Sequence, residues 1–88
     1  MDRQRIDKWL WHARLVRTRS AAASLAASGH VRVNGERIHS ASRPVRSGDV
    51  VTVALQGGVR VLKVSRFAER RGSASDARAL WEDVEASG

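Results

Sequence analysis

Gly29-His30-Val31-Arg32-Val33-Asn34-Gly35-Glu36-Arg37-Ile38 is the stretch on which the reading of this chain turns. Val31 and Val33 alternate with Arg32 at a period of two, the spacing of a half-buried strand. Asn34-Gly35 follows, supplying the two positive φ angles that a type I′ hairpin turn requires. Glu36-Arg37-Ile38 then returns as the partner strand. Upstream the period is helical. Ile6, Trp9, Leu10 and Ala13 make one apolar stripe, and Lys8, Trp11 and His12 fall on the other side. Thr18-Arg19-Ser20 interrupts it, with Thr18 and Ser20 both candidate N-caps because a side-chain oxygen can accept from a free backbone N–H. A second helix over 21–27 would bury Ala22, Leu25 and Ala26, and Gly29 ends it.

Downstream of the hairpin, Ser40 to Gly48 reads as a loop holding the single proline, Pro44, and Ser47-Gly48-Asp49 as a turn. Val50 to Leu55 is a β-branched strand, Gly57-Gly58 a turn, and Val59 to Val64 its partner. Phe67 to Arg71 is basic, and Gly72-Ser73-Ala74-Ser75 is linker-like. Asp76 to Val84 reads as a short helix capped by Ser75, with Ala77, Leu80 and Val84 on one face. So short a helix is marginal alone and must dock or fray. The boundaries that follow are a domain over residues 1–66 and a C-terminal extension over 67–88.

The 88 residues allow one domain with a thin stability margin. There is no cysteine, which excludes a disulfide scaffold, a thiolate metal site and a cysteine nucleophile. No run is long and apolar enough to span a membrane, and the N-terminus has no apolar core of a signal peptide, so a cytoplasmic protein is expected. His12, His30 and His39 lack metal-ligand spacing, and no phosphate loop or nucleophile motif is present. A catalytic role, a cofactor and a small-molecule substrate are therefore not expected.

The net charge of +7 is unevenly placed. Residues 1–71 hold all but one of the 16 basic side chains, whereas 72–88 hold one Arg and four of the nine acids. A basic body points to a polyanionic partner, either nucleic acid or an anionic membrane surface. Only Lys8 and Lys63 are lysines; Arg grips phosphate bidentately, although a GC-rich genome gives the same bias. Arg3, Arg5, Lys8, Arg14, Arg17 and Arg19 crowd the first 19 residues against Asp2 and Asp7. A capped helix N-terminus beside Arg17 and Arg19 would offer free N–H groups and a positive dipole end to a phosphate.

The order of these pieces resembles the S-four RNA-binding domain. The matching residues are Arg5-Ile6-Asp7-Lys8-Trp9-Leu10, Thr18-Arg19-Ser20-Ala21-Ala22, Gly29-His30-Val31-Arg32-Val33-Asn34-Gly35 and Gly48-Asp49-Val50-Val51. The start through Trp11, with Glu69-Arg70-Arg71-Gly72 and Ala77-Arg78-Ala79-Leu80-Trp81-Glu82, is similar to the heat-shock protein fifteen subfamily. The resemblance implies an α+β fold, two N-terminal helices packed on a small curved antiparallel sheet. The short helix read above would follow at the C-terminus. It carries the RNA surface onto Arg5, Lys8, Arg14, Arg17, Thr18, Arg19, Ser20, Arg32 and Asn34, with Asp7 structural as a cap or an ion pair. It implies binding to large ribosomal subunits stalled with a nascent chain on tRNA, and a part in their recycling. The longer relatives end in a basic tail, whereas this chain stops early and acidic.

The expectation is a monomeric, non-enzymatic binder of structured ribosomal RNA. A DNA-binding helix-turn-helix is the rival, although residues 21–27 offer almost no long polar side chain to read base edges. A protein-binding adaptor using the acidic tail is the third reading. Trp9 belongs to the core; Trp11 either stacks on a base or is covered by the C-terminal segment; Trp81 is a docking anchor.

Overall fold

The computed structural model describes residues 2–84; Met1 and residues 85–88, the end of the expected extension, lie outside the described residues. Two helices open the chain, α1 (Ile6–His12) and α2 (Arg19–Ala27), preceded by a short strand β1 (Arg3–Arg5). Strands β2 (Val31–Val33), β3 (Glu36–Arg37), β4 (Pro44–Arg46), β5 (Val50–Leu55) and β6 (Gly58–Val64) follow. A short helix α3 (Ala74–Arg78) and strand β7 (Trp81–Asp83) close it. All pairings are antiparallel, in a five-stranded sheet ordered β3-β2-β5-β6-β7 and a two-stranded ribbon β1-β4. This is the α+β architecture expected.

The helical stripe does what its spacing implies. Ile6, Trp9, Leu10 and Ala13 are buried, and with Ala22 and Ala26 they pack on Val31, Val33, Val51, Val53, Leu62 and Val64 of the sheet. The alanines of α2 keep it close to α1, and Leu25 is half-buried beside them. The hairpin turn has positive φ at Asn34 (51°) and Gly35 (84°), and Gly29 ends α2 with φ 82°.

Three expectations are corrected. The loop over 40–48 contains β4, which pairs with Arg3–Arg5 so that Gln4 lies opposite Val45. Each of these strands buries only its middle residue, too little for a periodic signal. His12 falls off the apolar stripe yet is buried, because the C-terminal segment packs over it: Ala68, Glu69 and Leu80 line the space beside it. The C-terminal helix is shorter than expected and starts earlier. Ser73, not Ser75, caps it in a reciprocal capping box with Asp76. The helix ends at Arg78, and Trp81–Asp83 become a strand because the free edge of β6 offers hydrogen bonds that a solvated helical turn lacks. Ala77 and Leu80 are buried as expected, whereas Val84 is 38% exposed.

The segment between β6 and α3 acts as a strap. Gln4 Nε2 donates to the Ala68 carbonyl, and Trp9 Nε1 to that of Arg66. The Arg71 guanidinium donates to the carbonyls of Trp11 and Val16, and its Cζ lies 5.8 Å from the centroid of the Trp11 ring. Trp11 is thus half-buried under the C-terminal segment. Trp81 Nε1 donates to Ala13, and Arg60 lies over its ring at 5.0 Å, held by Asp83 at 2.7 Å.

Candidate nucleic-acid interface

The site grows from one buried carboxylate. Asp7 lies in the first turn of α1 with its side chain 3% exposed. Arg5 grips it in a fork, Nε to Oδ1 at 3.1 Å and Nη2 to Oδ2 at 3.0 Å. The Lys8 amide donates to Oδ1 at 2.8 Å, satisfying one free N–H of the helix start. From α2, Arg19 Nε reaches Oδ2 at 3.5 Å. Of the two roles expected of it, Asp7 takes that of ion-pair partner: Arg5 holds the N-cap position, and Asp7, inside the first turn, accepts the Lys8 amide and ties the starts of the two helices together. The Arg side chains stay about half exposed, 50% for Arg5 and 43% for Arg19, so each keeps donors for another partner.

Of the two candidate caps, Thr18 is the one used. Its φ and ψ are extended and its Oγ1 accepts from the Ala21 amide at 3.0 Å. Ser20 is an exposed residue of the first turn. The amides of Arg19 and Ser20 precede the first intrahelical donor, the Ala22 amide that bonds the Thr18 carbonyl, and so face outward with the positive end of the helix dipole. Arg17 is exposed just ahead of them. Arg17, Thr18, Arg19 and Ser20 are thus four exposed residues in a row, Arg5 shares the Asp7 carboxylate with Arg19, and the half-buried Lys8 follows Asp7 on α1.

The remaining candidates are elsewhere. Arg14 follows α1 with φ 58°, the left-handed position usually given to Gly, and its Nε donates to the Gly72 carbonyl at 2.9 Å. Asn34 uses its side chain inside the fold, donating to Asp49 Oδ1 and accepting from the Val50 amide. Arg32 is exposed between two buried valines, so it projects from the sheet face opposite the helices. Arg71 and His12 had no place in the sequence-based site. The Arg-Arg-Gly run after β6 was a signal for Arg71; nothing in the helical periodicity reveals His12.

His12 is buried beneath the C-terminal segment, within reach of the charges of Lys8, Arg19 and Arg71, and its Nδ1 has no hydrogen-bond partner among the described residues. Burial holds its pKa below the ordinary 6.5; a bond to the Ala68 backbone works against this, and the charges of Lys8, Arg19 and Arg71 add to the lowering. The folded state therefore prefers neutral His12. Its contribution to stability is complete above the unfolded value and is lost as pH falls below it. Thermal melts should show a Tm that declines between about pH 7 and 5, with a flatter profile in His12→Gln. Equal slopes in both proteins would remove His12 from the explanation.

The arrangement of helix, capped turn, Ala-rich helix and Asn-Gly hairpin defines an S4 domain. The chain belongs to the S4 domain family, whose family model matches residues 4–51. Within that family it groups with heat shock protein 15. It is 39% identical to the Heat shock protein 15 homolog of Aeromonas salmonicida and 35% identical to Heat shock protein 15 of Escherichia coli K12, covering 94% and 91% of this chain. The chain spans 62% and 59% of those relatives. It also matches the small ribosomal subunit protein uS4 of Rhodopseudomonas palustris at 39% identity over 76% of this chain and 34% of that one. The trimeric structure of Vibrio cholerae Heat Shock Protein 15 superposes with TM-score 0.87 at 30% identity, covering 94% of this chain and 83% of that one.

Proposed function

We infer that this protein binds structured ribosomal RNA without catalysis, through the surface of Arg5, Lys8, Arg17, Thr18, Arg19 and Ser20. The observation that carries the reading is the α2 start, where a Thr18-capped helix N-terminus is flanked by two arginines, one oriented by a buried carboxylate. Structured RNA is recognised mainly by shape and phosphate position, which suits fixed guanidinium forks. The exposed positions Ala21, Ser24 and Ala27 of α2 offer little to a DNA major groove.

The finer reading follows from the family resemblance. The RNA is that of the large ribosomal subunit, the bound subunit carries a nascent chain on tRNA, and the protein acts in the cytoplasm as a monomer in recycling it. Co-sedimentation with separated subunits tests the first part, and light scattering separates a monomer from the trimer of the solved relative. Among the described residues, no helix is long and apolar enough to cross a membrane.

Filter binding over a salt series tests the contact mode. Four to six phosphate contacts give a slope of log affinity against log salt of about −3 to −5. A flat response would rule out the phosphate-contact reading.

A further inference from the structure

The open face of the sheet has a cationic cleft of its own. Arg32 on β2 is the register partner of Arg37 on β3 and also lies opposite Thr52 on β5. Directly opposed residues share a face, so these three side chains form one row. Val31 and Val33, either side of Arg32, enter the core with α1 and α2. Alternation puts the row on the face turned away from the helices. A cleft of about 470 Å³ opens there, lined by Ser28, His30, Arg32, Arg37, Thr52 and Val59 among others, and no acidic side chain lines it.

Like charges directly opposite on paired strands destabilise a sheet. Neither guanidinium of this pair has an ion-pair or hydrogen-bond partner among the described residues, whereas those of Arg5, Arg19, Arg60 and Arg71 are all engaged within the fold. The Arg37 stem passes close over Gly29, where a Cβ would sit 3.2 Å from its Cδ, so the glycine leaves room for the side chain along the cleft. His30 Nδ1 lies 2.7 Å from Ser28 Oγ, which fixes the imidazole at the same cleft. Two free guanidinium forks, an imidazole and two hydroxyls in one acid-free concavity match the charge and acceptor oxygens of a phosphodiester.

We propose that this cleft grips the backbone of a second RNA segment, so that the protein clamps two RNA segments, one on the helix face and one on the open sheet face. The proposal rests on the RNA-binding reading above. It extends that reading to an RNA whose two backbones pass on opposite sides of one small domain.

Two short RNA duplexes, one carrying a donor dye and one an acceptor, test it. Wild-type protein should bring them together in a salt-sensitive manner, read as energy transfer, while anisotropy reads binding of a single duplex. Arg37→Glu turns the like-charge pair into an opposite-charge pair, so its Tm should not fall. The variant should bind a single duplex within about twofold of wild type and lose the energy transfer. Single-duplex binding by wild type without energy transfer would overturn the clamp and leave the RNA-binding reading standing. Energy transfer that survives Arg37→Glu would also overturn it, since self-association would then be the bridge. No duplex binding at all would defeat both readings. Arg37-dependent binding of polyglutamate with no second duplex bound would make the cleft a protein-docking site and overturn the proposal.

Discussion

Ending the chain after Gly72 is expected to lower the Tm by roughly 10–20 °C while leaving RNA affinity at low temperature almost unchanged. The removed segment closes the core. Leu80 is 5% exposed and packs with the central cluster, and Ala77 is buried beside it. Reducing a buried Leu to Ala alone costs about 2–5 kcal/mol. A domain of this length has a total stability of about 4–13 kcal/mol, so the loss is a large share. Truncation also strips β7 from β6, including the Val84 to Val61 hydrogen bond, and uncovers a sheet edge. The donors of the α2 start are untouched. Residues 73–88 carry one Arg and four acids, so their removal takes away repulsion rather than attraction. Differential scanning fluorimetry with binding measured in the cold separates these effects. Loss of binding at unchanged Tm would make the tail part of the RNA site.

Replacing Arg17 and Arg19 together by Ala should weaken RNA binding by roughly a hundredfold or more at low salt. A charge-assisted hydrogen bond is worth about 1.5–3 kcal/mol, and two would be lost. The salt slope should become shallower by about 2. The fold should survive, because Asp7 keeps the Arg5 fork and the Lys8 amide when Arg19 is gone. Arg78→Ala, at an exposed position of α3, removes the same charge outside the proposed site and should change affinity little. An equal loss per Arg at both places would mean that net charge alone attracts the RNA.

The parts of this fold legible in the sequence are those where several neighbours along the chain agree. The stripe Ile6, Trp9, Leu10 and Ala13, the Asn34-Gly35 turn and the strand from Val50 to Leu55 each impose a period or a backbone geometry that few alternatives satisfy. What escaped is decided by distant partners. Arg3–Arg5 and Pro44–Arg46 become strands only by meeting each other. Trp81–Asp83 leave a helical pattern because β6 has an open edge. His12 is buried by a segment more than fifty residues away. In the candidate site, the Thr18 cap is legible because cap and charges are adjacent in Thr18-Arg19-Ser20, whereas the Arg19–Asp7 link needs the two helices packed. Arg37 carried a usable signal: a two-residue turn at Asn34-Gly35 forces it opposite Arg32.

The central claim is that the α2 start and its flanking cations are the RNA-reading surface. The most direct measurement is the amide NMR spectrum of ¹⁵N-labelled full-length protein titrated with structured large-subunit ribosomal RNA. The largest shifts should fall on Arg17, Thr18, Arg19, Ser20 and Ala21, with Lys8 following and α3 unmoved. Shifts concentrated on Ala74–Arg78 and Trp81–Asp83, with residues 17–21 unmoved, would contradict the account.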